Sequence, residues 1–196
     1  MIPVGKTPKP AQFNQKAAKP GNKWLKNNPN SKKRPPALWN DFTADLSNGF
    51  KGLCGYAAML DPTGGTVDHY LSYKKYPKLA YDWGNYRFAS GTLNSSKKNA
   101  DDKVLDPYDV QAGWFEILLP SLQMKVTDAV PTALRDKANY TLKRLKLRDG
   151  ERIIRWRQSW YDMYKNGGLT LDGLRQVAPL LAEAVDKVIA NGGVAP

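Results

Sequence analysis

One cysteine and one histidine, Cys54 and His69, stand in a chain of 196 residues. Those two counts constrain the fold more than any other feature. No internal disulfide framework and no multi-cysteine zinc site can be assembled, so the chain must hold itself together by burial alone. The means are present, because 41% of the residues are hydrophobic and six Trp and ten Tyr are among them, enough for a real core in one domain of this length. A lone thiol fits a reducing compartment. No apolar run approaches the roughly 18–20 residues of a membrane span, and the opening Met-Ile-Pro-Val-Gly-Lys lacks the apolar centre of a secretory signal. A cytoplasmic protein without membrane association is expected.

Charge is distributed unevenly. Of the net +12, the segment from Met1 to Pro36 contributes +9 through eight lysines and Arg34 with no acid, and it also holds seven of the fourteen prolines. Regular structure is not expected before Pro36. Residues 1–36 therefore read as a basic Pro/Lys-rich arm, whose Lys32, Lys33 and Arg34 suit an electrostatic hold on nucleic-acid phosphates. The plainer alternative is a strap packed on the body through Phe13, Trp24 and Leu25.

Periodicity and punctuation sketch the rest. Leu38, Phe42, Leu46 and Phe50 fall at helical spacing, with Asn48-Gly49 as a stop signal. Thr66–Tyr70 and Tyr86–Ser90 read as short strands joined by a long loop, Asn94–Ala100 as a short helix, and Trp114–Leu119 as a strand closed by Pro120. Helices are expected over Thr132–Leu147, Asp149–Lys165 and from Thr170 to Asn191-Gly192-Gly193. The expected class is α+β, with a leading helix and core over 37–131 and a C-terminal helical layer over 132–196.

The chemical signal lies between Thr66 and Asn99: Asp68-His69 closing a strand, the loop containing Leu-Ala-Tyr-Asp-Trp, Asn85-Tyr opening the next strand, then Asn94-Ser-Ser-Lys97-Lys98. In this order and spacing, residues 50–110 resemble the HNH branch of the ββα-metal (His-Me finger) nucleases. Similar loops occur in defence-associated HNH proteins, including those of retron and Septu systems that work beside an ATPase. The resemblance implies a small ββα-metal core that hydrolyses phosphodiesters with one divalent ion, Mg²⁺ or Mn²⁺. It implies Asp68 and Asn94 as metal ligands, His69 as the group that meets the attacking water, Asn85 as the residue that fixes the backbone around His69, and Lys97 and Lys98 as phosphate contacts. Asn99 competes with Asn94 for the ligand role, and Asn85 also suits a simple turn after Gly84. Many relatives carry a structural zinc on two Cys-x-x-Cys pairs, which Cys54 alone cannot supply, so no structural zinc is expected.

Elementary chemistry agrees with those residue types. Water is a poor nucleophile and an alkoxide a poor leaving group, so a base and a cation are both needed. His69 is the side chain whose ordinary pKa lies near neutrality, and amide and carboxylate oxygens suit hard cations that keep several waters. Adjacent strand residues point to opposite faces, so Asp68 and His69 converge only if the strand ends or twists there. Two further clusters have plain readings. Arg152, Arg155 and Arg157 interleave with Trp156, Trp160, Tyr161 and Tyr164 as a nucleic-acid surface would, but at amphipathic-helix spacing, and Leu105-Asp106-Pro107-Tyr108-Asp109 is an Asp-Pro turn. The leading expectation is a nuclease, on DNA ahead of RNA and in anti-phage defence. The alternative is a catalytically silent or latent nucleic-acid-binding subunit that assembles with an ATPase.

Overall fold

The computed structural model describes residues 1–29, 31 and 33–193, and its class is α+β. Two separate two-stranded antiparallel sheets carry the strands: β1 (Thr66–His69) with β2 (Tyr86–Ala89), and β3 (Phe115–Leu118) with β4 (Gln123–Val126). Seven α-helices surround them: α1 (Lys19–Asn27), α2 (Thr43–Gly49), α3 (Gly91–Lys97), α4 (Thr132–Arg144), α5 (Glu151–Lys165), α6 (Leu171–Val177) and α7 (Pro179–Ala190).

Two differences from expectation have clear causes. A π-helical turn, Asn14–Ala18, runs directly into α1, so regular helix occurs over 14–27, well before Pro36. Tertiary packing overrides its poor composition. Phe13 is 1% exposed and meets Phe42, Trp83 and Tyr86 edge to face at centroid distances of 5.1, 5.2 and 5.8 Å. Such ring pairs add to the free energy of burial. Trp83 Nε1 donates to Thr7 O, and Tyr81 OH donates to Pro36 O. Phe13 is thus strapped to the body, Leu25 packs against the same cluster, and Trp24 is half-buried. Secondly, the expected single C-terminal helix is two, because Pro179 removes a backbone donor and Ala178 before it is extended, with φ −152° and ψ 67°. Pro179 then serves as the first residue of α7.

Two cores result. One is aromatic and gathers Phe13, Trp39, Phe42 and Phe50 under the β1–β2 hairpin. The other, larger one joins the β3–β4 hairpin to the C-terminal helices through Phe115, Met124, Leu142, Leu181 and Val185, and α7 lies along β3. Arg157 is buried in this second region, where its guanidinium donates to the carbonyls of Leu122, Leu147 and Arg148. Burial lowers its pKa to about 10, so it stays charged and ties three loop carbonyls together. No helix among the described residues is long and apolar enough to cross a membrane.

Candidate active site

The hairpin register pairs His69 with Tyr86 and Asp68 with Arg87, and α3 follows β2 after a single residue. That residue, Ser90, caps the helix by accepting from Leu93 N, a serine role that satisfies an otherwise orphaned amide. Strand, strand and helix therefore succeed one another over Thr66–Lys97, and Asp68, His69, Asn94, Lys98 and Asn99 border one cleft of about 680 Å³.

His69 ends β1 and is 8% exposed. Its Nε2 lies 2.9 Å from Ala80 O. A carbonyl can only accept, so Nε2 carries the proton and Nδ1 is the lone-pair nitrogen. Nδ1 has no hydrogen-bond partner among the described residues. Trp39, Tyr73 and Tyr86 pack their rings against the imidazole at centroid distances of 4.5, 5.2 and 4.9 Å, all near perpendicular. Burial lowers the His69 pKa to about 4, while the Ala80 carbonyl and Asp68 pull the other way. The ring is neutral at pH 7.

The loop that supplies Ala80 is held by Asn85. Its Oδ1 accepts from Leu71 N at 2.8 Å, and its Nδ2 donates to Leu71 O and Leu79 O. One side chain thus bridges the start and the end of the loop beside His69. Ala80 O accepts a second bond from Tyr86 OH at 2.7 Å, which fixes the acceptor that orients the imidazole.

Asp68 is 1% exposed and accepts one donor on each oxygen. Tyr56 OH donates to Oδ2 at 2.7 Å and Lys97 Nζ to Oδ1 at 3.0 Å. Burial and the neighbouring carboxylate push the Tyr56 pKa well up, so its hydroxyl keeps the proton it donates. Asn94 Nδ2 donates to Thr66 Oγ1 and Val67 O, which turns Oδ1 away from β1. Asn94 is half-buried on α3, whereas Asn99 lies past the helix end and is exposed.

Lys97 corrects the sequence expectation. It is 0% exposed, and its ammonium is spent on Asp68, His69 O and Tyr70 O, so it cannot reach a phosphate. A buried charge survives only when paired in this way. Lys98 is exposed at the rim. Arg34 also lines the cleft and lies over the Trp39 ring at 5.9 Å, while Lys33 lines an adjoining cavity of about 900 Å³ that shares Arg34, Tyr73 and Lys74 with the cleft. Lys32 lies outside the described residues.

Three contributors went unmarked in the sequence. Tyr56 and Trp39 are aromatics with no motif around them, and each finds its partner through tertiary packing. Arg87 forms a buried ion pair with Asp106, and its guanidinium carbon stands 3.9 Å from the centroid of the Tyr108 ring. Asp106 also accepts from Tyr108 N, as an Asp-Pro turn requires. Cys54 is fully buried and accepts from Ser90 N at 3.3 Å, and burial raises its pKa, which keeps it a thiol. No group of three or more His, Cys, Asp or Glu side chains among the described residues is arranged to hold a metal. No protein-family model matches this chain, and the comparison with curated proteins gives no match.

Proposed function

We propose that this protein is an HNH-type phosphodiesterase of the ββα-metal class, acting on DNA in preference to RNA and serving anti-phage defence. The observation that carries the reading is the state of His69: a neutral imidazole whose Nε2 proton is committed to Ala80 O, and which borders a cleft lined by Arg34, Lys74 and Lys98. Water attacks phosphorus as its proton passes to Nδ1, the new P–O bond forms, and the bond to the leaving oxygen breaks. A pKa near 4 makes the free imidazole a weak base, and an anionic phosphate entering the cleft raises it. Asn85 and Tyr86 keep the ring aimed by holding the loop and the Ala80 carbonyl.

The donor chemistry fits one hard divalent cation. Asp68 and Asn94 border the same cleft, and a carboxylate retains lone pairs beyond the two donors it already meets. Bound there, Mg²⁺ or Mn²⁺ would polarise the phosphate and stabilise the departing oxygen. Cleavage of plasmid DNA and of RNA, measured with Mg²⁺, Mn²⁺ and EDTA, tests the reading. His69→Ala should lose about 10²–10⁴-fold in rate, and full metal-dependent turnover in that variant would remove His69 from the mechanism.

One observation favours a second reading. Lys97 holds Asp68 in a buried ion pair, as expected of a latent or silent nucleic-acid-binding subunit that becomes competent only on assembly, with an ATPase as the partner. Activity that appears only when such a partner is added would select it.

A further inference from the structure

Beyond the cleft, the basic surface continues in one direction. A second trough of about 540 Å³ shares Ser95 and Lys98 with the cleft and runs over the outer side of α3 to Arg144, Lys146 and Arg152. Cleft and trough together are lined by Arg34, Lys74, Lys98, Arg144, Lys146 and Arg152, against one carboxylate, Asp68, which Lys97 already neutralises. No acid lines the trough itself. Lys98, Lys146 and Arg152 are exposed, and none makes a side-chain hydrogen bond or ion pair among the described residues. Arg144 is half-buried and donates to Lys97 O at 3.2 Å, which fixes the end of α4 against the end of α3. The far half of the trough is therefore held rigidly relative to the helix that carries Asn94.

We propose that this trough is the path of the substrate's sugar-phosphate backbone as it leaves the cleft, with phosphates on Lys98, Lys146 and Arg152 and with Arg144 setting the direction. The proposal rests on the nuclease reading and adds to it a route outside the strand–strand–helix unit. A row of uncompensated cations continuous with a hydrolytic cleft suits a polyanion with evenly spaced charges, and each neutralised phosphate releases counterions. A path of several phosphates also explains why no acid lines the trough, whereas Glu116, Asp172 and Asp186 pair with lysines and arginines elsewhere.

The test uses the full chain and a 30-base-pair DNA duplex, its RNA counterpart and poly-glutamate, with affinity measured by fluorescence anisotropy from low to moderate salt. The variant Lys146→Gln/Arg152→Gln removes two charges that make no side-chain bond in the fold. Its slope of log affinity against log salt should be smaller than wild type by about 1.8 on duplex DNA, with an unchanged thermal midpoint. An unchanged slope in a protein that cleaves DNA overturns the trough and leaves the nuclease reading standing. A reduced slope in a protein that never cleaves with Mg²⁺ or Mn²⁺ supports the trough and overturns the nuclease reading. Binding to poly-glutamate with the same charge dependence, and none to either duplex, assigns the surface to an acidic protein and overturns the proposal.

Discussion

The two hairpins are built to the same plan and carry opposite loads. Both are antiparallel pairs of four-residue strands. β3 and β4 alternate buried and solvent-facing positions, so Phe115, Ile117 and Met124 enter the core while Glu116 and Lys125 pair on the outside. In β1 and β2 every residue but Thr66 is buried, and the strands take Asp68, His69 and Arg87 inside with them. Each of those polar groups is then tied to a specific partner far along the chain: Tyr56 and Lys97, Ala80, and Asp106. An outward ion pair keeps its water and can be broken cheaply, whereas an inward one leaves a stranded charge when half of it goes. The site hairpin is therefore ordered by obligatory polar contacts, and the other by ordinary amphipathic packing.

The sharpest way to break that contrast is Lys97→Met. It strands the Asp68 carboxylate and should cost about 3–5 kcal/mol in urea denaturation. If Asp68 is a cation ligand, Mg²⁺ restores part of the loss, because a ligand that binds only the folded state stabilises it. A loss below about 1 kcal/mol would put the buried pair on a level with the surface ones and dissolve the distinction.

A smaller effect comes from pH. The unfolded chain takes up a proton on His69 below its ordinary value of 6.5, and the folded chain resists until about 4. Stability is therefore complete above pH 6.5 and drains as pH falls through that window, by about 3 kcal/mol in total. The difference between wild type and His69→Gln, followed by denaturation from pH 7.5 to 4, should show that slope. Parallel profiles would mean that burial does not hold the imidazole neutral.

Smallest of all is Glu116→Gln in the outer hairpin. It removes both the Lys125 and the Lys187 pairs, and the expected change in stability is about 0–1 kcal/mol.

The sequence spoke most clearly where structure is local. Thr66–Tyr70 and Tyr86–Ser90 were legible as strands because β-branched and aromatic residues stood between Gly-rich turns, and their ends fall within one residue of those observed. β4 was not, since Gln123-Met-Lys-Val126 is short, buries only Met124 fully with Val126 partly covered, and pairs only because β3 is already there. The basic segment hides its helix for a related reason. Its inward stripe is Phe13, Ala17 and Gly21, and two of those three carry no hydrophobic signal. Gly21 is needed for its smallness: a Cβ there would lie 2.4 Å from the Tyr81 ring. At the site, the grouping of Asp68, His69 and Asn94 around one cleft was legible, because a hairpin and the helix after it form a short, contiguous unit. What lies inside that unit was not. Lys97 looks like any helix lysine until Asp68, 29 positions earlier, is brought beneath it.

The first segment is pinned at Thr7 and at Pro36 to neighbouring points on one loop, Thr7 O to Trp83 and Pro36 O to Tyr81, both just past Ala80. During synthesis this segment emerges before the hairpin that seats it, and its seat is completed only when Tyr86 has been added, about 50 residues after Pro36. At ordinary elongation rates of roughly 5–20 residues per second, that is a wait of about 3–10 s. For most of that interval a chain bearing nine positive charges has only Phe42 of the three rings that seat Phe13. The aromatic core that shelters His69 can close only after the loop has emerged, so a segment made before the hairpin reaches its place only after it.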